Sequence, residues 1–242
     1  MTRVGVVGAA GRMGQEVCRA VEADPDLELV AAIDDGDDLA DLIEGRCDVV
    51  VDFTVIDAAR RTLPYLAEHG IHAVVGTSGF DDADHETLRA AFTTSNCLLA
   101  PNFAIGAVLM TRFAEIAAPF FDTAEIIEYH HDNKVDAPSG TATHTAERMA
   151  AASSEWAPDP TTSEVYEGAR GGAGPAGIRV HAVRMRGVVA NQEVLLGTTG
   201  QTLAIRHDTV DRTSFMPGVV LACKRIGDFP GVTVGLDTYL GL

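Results

Sequence analysis

The chain reads as an α/β protein in two parts. A parallel sheet wrapped by helices on both faces comes first, then an α+β part with a mainly antiparallel sheet. Three observations predict this. Short, near-continuous apolar runs alternate with helical patterns through the first hundred residues, the pattern of strands buried on both faces. The first run ends in the glycine turn Gly8-Ala9-Ala10-Gly11-Arg12-Met13-Gly14 and passes into a helix. Beyond about residue 120, strand-like runs follow one another with turns between them.

Val4–Val7 is the first buried strand, and an alanine-rich helix pattern runs over 15–23. Strand, glycine turn and helix together open a dinucleotide-binding βαβ unit. The first glycine makes the tight turn, the second admits a pyrophosphate to the backbone, and the third lets the helix pack on the strand. The spacing here is G-x-x-G-x-x-G, a variant of the commoner form. The second strand, Leu27–Ile33, ends in Asp34, ~20 residues past the turn, where an acid binds the adenosine ribose. Asp35, Asp37 and Asp38 read as a solvated loop.

Further strands fall at 48–53, 71–75 and 97–99, with helices at 58–68 and 84–92. Ligands of such sheets bind beyond the carboxyl ends of the strands. There stand Phe53-Thr54, then Gly76-Thr77-Ser78-Gly79, then Ala100-Pro101-Asn102-Phe103. This first part reads as a Rossmann-like dinucleotide domain. The pattern then changes: a helix over 106–120, a strand over 124–131, a helix over 140–151, and a glycine- and proline-rich loop over 153–177. Strand-like runs at 178–185, 188–196 and 202–207 follow, then a helix over 218–226 and a strand at 232–234 that can return to the first domain.

The formal net charge is −17 over 242 residues, which argues against nucleic acid or an anionic membrane as the main partner. No apolar run approaches the ~20 residues that span a bilayer, and the N-terminus lacks a signal-peptide pattern. The four cysteines form no C-x-x-C pair and read as small core residues. A cytoplasmic location is expected.

Against that acidic background, residues 128–142 read EYHHDNKVDAPSGTA. Adjacent strand residues face opposite ways, so His130 and His131 converge only if the strand ends there. Lys134 lies on the next turn, and Pro138-Ser139-Gly140-Thr141 looks like a helix start with Ser139 or Asp136 as N-cap. A lysine, two histidines and a helix N-terminus make a corner able to bind carboxylates and donate protons. A metal site built from His130, His131 and Asp132 or Asp136 has poor ligand spacing, and no metal is expected. The other histidines read as structural, with His207 undecided.

The segment Glu128-x-His130-His131-x-x-Lys134-x-Asp136-Ala137-Pro138-Ser139-Gly140-Thr141-Ala142 resembles the signature of the 4-hydroxy-tetrahydrodipicolinate reductase family, also called dihydrodipicolinate reductase. So do the glycine turn, Gly76–Phe80, Ala100–Phe103 and Arg212–Phe215, in order along nearly the whole chain. The short length resembles the actinobacterial form. The resemblance implies a nicotinamide-dependent reductase of lysine and diaminopimelate biosynthesis, acting on a cyclic dicarboxylate. It implies a dinucleotide domain over 1–104 and 213–242, a substrate and oligomerisation domain over 105–212, and a homotetramer built through the substrate-domain sheets. His130 and Lys134 would be the proton donors, and His131, Gly140 and Thr141 would bind substrate. Gly8, Ala9, Ala10, Gly11, Arg12, Met13, Asp34, Gly76, Thr77, Ser78, Ala100, Pro101, Asn102 and Phe103 would hold the cofactor.

One departure bears on the cofactor. Some members carry an arginine after the ribose acid, where it meets the NADPH 2′-phosphate; here stand Asp35 and Gly36. A carboxylate repels phosphate, and Arg12 partly compensates, so use of both NADH and NADPH is expected, with no strong NADPH preference. Two rivals remain: a nucleotide-sensing regulatory protein without turnover, and another two-domain reductase acting on an amino-acid semialdehyde.

Overall fold

The computed structural model describes residues 1–242. The chain divides into one unit of Met1–Ile105 with Arg212–Leu242, and another of Gly106–Asp211.

The first unit alternates strand and helix: β1 Thr2–Val7, α1 Arg12–Ala23, β2 Leu27–Ile33, α2 Ala40–Glu44, β3 Val49–Asp52, α3 Ile56–Glu68, β4 His72–Val75, α4 Asp82–Ala91 and β5 Cys97–Leu99. The β-branched runs Val4–Val7 and Val49–Val51 are buried on both faces, so they suit a central parallel sheet. α1 begins at Arg12, not at the expected residue 15. Arg12 and Met13 therefore form the first helical turn, while Gly11 is its N-cap. α2 is a five-residue helix, too short to leave a periodic pattern. α4 starts with a capping box between Asp81 and Asp84.

The second unit contains α5 Ile105–Ala117, of which Ile105 belongs to the first, then β6 Thr123–His130, α6 Gly140–Ala152, β7 Gly172–Ala173, β8 Arg179–Arg184, β9 Ala190–Thr198 and β10 Gln201–Thr209. Its sheet order is β10-β9-β6-β8-β7. β6, β9 and β10 are antiparallel neighbours, but β6 and β8 run parallel. The reason is topological: α6 and the long loop carry the chain back before β8 begins, and parallel pairing needs such a crossover. Met110, Ala114, Ile126, Ala146, Met149 and Val194 lie in the apolar core of this unit. Pro119 falls just past the end of α5, which closes as a single 3-10 turn over Ala118–Phe120.

The chain then completes the first unit with α7 Met216–Arg225, β11 Val232–Val234 and α8 Asp237–Leu240. The finished six-stranded sheet has the order β11-β5-β4-β3-β1-β2 and is parallel throughout. Val7 is in register with Ile33 and Asp52, Asp52 with Val75, and Val75 with Leu99. That register ends β1 to β5 on one edge, so Gly8, Asp34, Phe53, Gly76 and Ala100 follow it side by side.

Candidate active site

At that edge the glycine turn is tied to the end of β2. Gly8 and Ala9 donate their N–H groups to the Ile33 carbonyl at 2.9 and 3.0 Å. Gly8 has φ +81°, a region side chains disfavour. A Cβ on Gly14 would lie 2.0 Å from the Gly8 carbonyl oxygen, so only glycine lets α1 approach the turn this closely. No side chain caps α1, which leaves its first N–H groups for an anion. The Asp34 carboxylate accepts the Ala10 N–H at 2.6 Å and the Asp35 N–H at 2.8 Å. Those two backbone donors hold its pKa below the ordinary carboxylate value, so it stands ionised as an acceptor. A cavity of about 530 Å³ opens beside these residues, walled by Gly8, Asp34 and Asp35 on one side and by Thr54, Ala58 and Arg61 on the other. A tight backbone cradle, an open helix N-terminus and an ionised acid fit the phosphates and ribose of a dinucleotide.

The ends of β3 and β4 are joined by a group that the sequence reading passed over. Asp52 is fully buried. Its Oδ1 accepts the Thr54 N–H at 3.0 Å, the Thr54 hydroxyl at 2.7 Å and the Thr77 hydroxyl at 2.8 Å. Thr77 in turn accepts the Thr54 N–H at 2.9 Å. Burial raises the Asp52 pKa against these hydrogen bonds. The Thr77 hydroxyl is thus committed to the protein. Gly76 lies against the Phe53 ring, where a Cβ would come within 2.0 Å. Phe103 is buried and packs on Phe53 with ring centres 5.6 Å apart, while Ser78 and Pro101 are exposed. The Asn102 side chain accepts the Ala104 N–H at 2.8 Å.

In the second unit, β6 ends at His130, one residue before its expected end. The strand is therefore not regular past His130, and His131 lies outside it. Glu128 and His130 share one face of β6, two residues apart. Glu128 is fully buried, and its carboxylate is saturated: His130 Nδ1 lies 2.5 Å away, Arg184 donates two bonds at 2.8 and 2.9 Å, and the Ser139 N–H donates at 3.0 Å. Burial raises the Glu128 pKa, but Arg184 and His130 outweigh it and hold the group below the ordinary value. Burial lowers the His130 pKa, only partly offset by Glu128.

Arg184 also donates to the carbonyls of Lys134 at 3.2 Å and Asp136 at 2.6 Å, so it clamps the whole turn. The Lys134 ammonium rests on the Asp136 carboxylate at 2.7 and 2.8 Å. Ser139 is the N-cap of α6 and accepts the Ala142 N–H at 3.2 Å. Gly140 and Thr141 are the first residues of that helix, and His131 Nδ1 is buried without a hydrogen-bond partner. One stretch of chain thus collects His130, Lys134, Gly140 and Thr141. The sequence reading missed Glu128 and Arg184 as the pair that orients it. The i, i+2 spacing of Glu128 and His130 was a local signal for the first; nothing local marks Arg184.

Among the other histidines, His181 meets Glu125 at 2.6 Å, and His72 accepts the Asn96 N–H at 2.9 Å. His207 packs against Gly106 at the start of α5. All four cysteines are free thiols. No group of three or more potential ligands is placed to hold a metal ion, and no helix is long and apolar enough to cross a membrane.

Comparison with known proteins adds a decisive observation. The models of the dihydrodipicolinate reductase N-terminus and C-terminus match residues 2–103 and 106–240. The chain belongs to the dihydrodipicolinate reductase family. Within it, the chain is 56% identical to the 4-hydroxy-tetrahydrodipicolinate reductase of Nocardia farcinica over 99% of each sequence. It is 52% identical to that of Corynebacterium urealyticum over 100% of each. Among solved structures, the dipicolinate-bound dihydrodipicolinate reductase from Paenisporosarcina sp. TG-14 superposes with a TM-score of 0.87 at 36% identity, covering 98% of this chain and 99% of that one. Both the glycine turn and the histidine–lysine segment fall inside stretches matched by the dihydrodipicolinate reductase models.

Proposed function

We propose that the protein uses NADH or NADPH and a proton to reduce 4-hydroxy-tetrahydrodipicolinate, a cyclic dicarboxylate, to tetrahydrodipicolinate, the 4-hydroxyl leaving as water, in lysine and diaminopimelate biosynthesis. The observation that carries the chemistry is the cationic corner at the end of β6, where Glu128 and Arg184 hold His130 and the Lys134 turn in place. Family membership and the relatives' names supply the substrate.

The nucleotide, when bound, supplies the hydride. The glycine turn Gly8–Met13 and Asp34 hold its phosphates and ribose, with Gly76–Ser78 and Ala100–Phe103 forming the rest of its bed. Lys134, His131 and the α6 start at Gly140 and Thr141 receive the substrate carboxylates by charge-assisted contacts. For this the Lys134 ammonium must exchange the Asp136 carboxylate for that of the substrate. His130 and Lys134 supply the proton that the reduced ring requires. Glu128 is ionised at neutral pH and can only accept, so His130 Nδ1 carries its proton toward Glu128 and Nε2 is the nitrogen that exchanges one. General acid catalysis of this kind is worth roughly 10²–10⁴-fold.

Both nucleotides serve with no strong preference for NADPH: Asp35 opposes a 2′-phosphate, which favours NADH without excluding NADPH. A homotetramer formed through the sheet of the second unit is consistent with β6, where buried Ala124, Ile126 and Glu128 alternate with less buried Glu125, Ile127 and Tyr129 on the opposite face. The cytoplasm is the expected location of such a biosynthetic enzyme.

NADH oxidation tests this reading, with substrate made in situ from pyruvate and aspartate semialdehyde by the synthase that precedes this step. His130→Ala and Lys134→Ala should lose roughly 10²–10⁴-fold in kcat while still binding NADH. A folded, NADH-binding wild type with no turnover would refute it.

A further inference from the structure

The cavity beside Asp34 carries four acids on its walls, Asp34, Asp35, Asp37 and Asp57, and a single cation, Arg61. Arg12, the cation expected near a 2′-phosphate, is exposed on the first turn of α1 and does not line that cavity. Arg61 lies on α3, across the cavity from the Asp34–Asp37 loop. Its neighbour Arg60 is fully engaged by acids, with Asp84 at 2.8 Å, Asp81 at 3.5 Å and Asp57 at 3.8 Å. Consecutive helical residues point about 100° apart, so Arg60 can serve α4 while Arg61 turns to the cavity. The Arg61 side chain makes one hydrogen bond, Nη1 to the Asp57 carbonyl at 3.0 Å, and no ion pair. A guanidinium has five N–H donors in a fork that matches a phosphate. Four of them remain for a ligand.

We propose that Arg61 is the specificity-determining residue that admits the 2′-phosphate of NADPH, supplying from α3 the charge that Asp35 withholds on the β2 side. This rests on the dinucleotide reading of the cavity. Asp34 holds the ribose hydroxyls of NADH, and a phosphate in their place meets two carboxylates from one wall and a guanidinium from the other. Dual nucleotide use then follows from a balance of opposed charges across one cavity, not from an indifferent pocket.

Calorimetric titration of the full chain with 2′,5′-ADP and with 5′-ADP separates the parts. Binding of 5′-ADP to the wild type tests the dinucleotide reading; if neither nucleotide binds, that reading and this one fall together. Given such binding, Arg61→Ala should weaken 2′,5′-ADP by about 10–100-fold, as loss of charge-assisted hydrogen bonds does. It should leave 5′-ADP within about twofold, and Arg61→Lys should fall between because a point charge replaces the fork. The ratio of kcat/KM for NADPH over NADH should drop by the same factor. Arg60→Ala, which removes an equal charge from the same helix facing α4, should move neither. Equal losses for both nucleotides, no change in Arg61→Ala, or the same discrimination lost in Arg60→Ala would each overturn the assignment.

Discussion

Glu128 decides which nitrogen of His130 can move a proton. The carboxylate has no proton to give, takes two bonds from Arg184, and leaves His130 Nδ1 as a donor. A substitution that keeps shape but removes charge isolates this effect. Glu128→Gln takes away the one influence that raises the His130 pKa, while burial continues to lower it. If protonated His130 is the acid, turnover falls as pH rises through its pKa. That limb should therefore move to lower pH in Glu128→Gln, with reduced kcat at pH 7. A purely structural Glu128 would lower stability and leave the limb where it was. The pH profile of kcat/KM distinguishes the two. The histidines and the lysine were legible at this scale because they stand together in one window. Arg184 was not, since it lies 56 positions from Glu128 and meets it only through the β6–β8 register.

Among the elements, the parallel strand ends matter more than any single side chain. The turns after β3 and β4 are joined by Asp52, Thr54 and Thr77, and all three meet at one carboxylate oxygen. Asp52→Ala leaves buried donors without acceptors, a loss of about 1–3 kcal/mol for each unsatisfied group. Removing a buried carboxylate relieves some desolvation, so the net loss of stability should sit at the lower end of that range. Because Gly76-Thr77-Ser78 follows β4, NADH affinity should weaken in the same variant, and Asp52→Asn, which keeps the acceptor oxygen, should retain most of it. Denaturant unfolding and NADH titration read the two effects separately. Unchanged NADH affinity in a destabilised Asp52→Ala would detach this knot from the cofactor. Strands and long helices were legible from apolar runs and periodicity. The parallel β6–β8 pair was not, because the crossover that sets its direction is a property of the whole connection, not of either strand.

For the whole molecule, the acidic composition sets the response to pH. Glu128, Glu125 and Glu115 are each held below their ordinary pKa by arginine partners, joined by a histidine at Glu128 and at Glu125, that outweigh burial. Asp84 and Asp159, both half-buried, are each held at about 2, but their arginine partners stand nearer the solvent, so these pairs add less than the fully buried Glu128. A carboxylate whose folded pKa is depressed contributes stability that is present above its unfolded value and lost as pH falls through the folded one. Tm should therefore hold from pH 7 to about 5 and fall steeply below ~4. Asp52 acts in the opposite sense, since burial raises it, but it stands against several lowered groups. A Tm that rises or stays level down to pH 3 would show that relief of the −17 charge dominates instead.

The sequence by itself determined the alternation of strands and helices, the glycine cradle with its acid at the end of the second strand, and the identity of the cationic segment. Each is written in a short window, through apolar period, glycine spacing or adjacency. Only the tertiary structure decided which partner every charged group takes. Arg184 reaches Glu128, Asp52 gathers Thr77, and Arg61 turns to the cavity while Arg60 turns to α4. Those choices depend on strand register and on the rotation of a helix against its neighbours, and no window of sequence contains either.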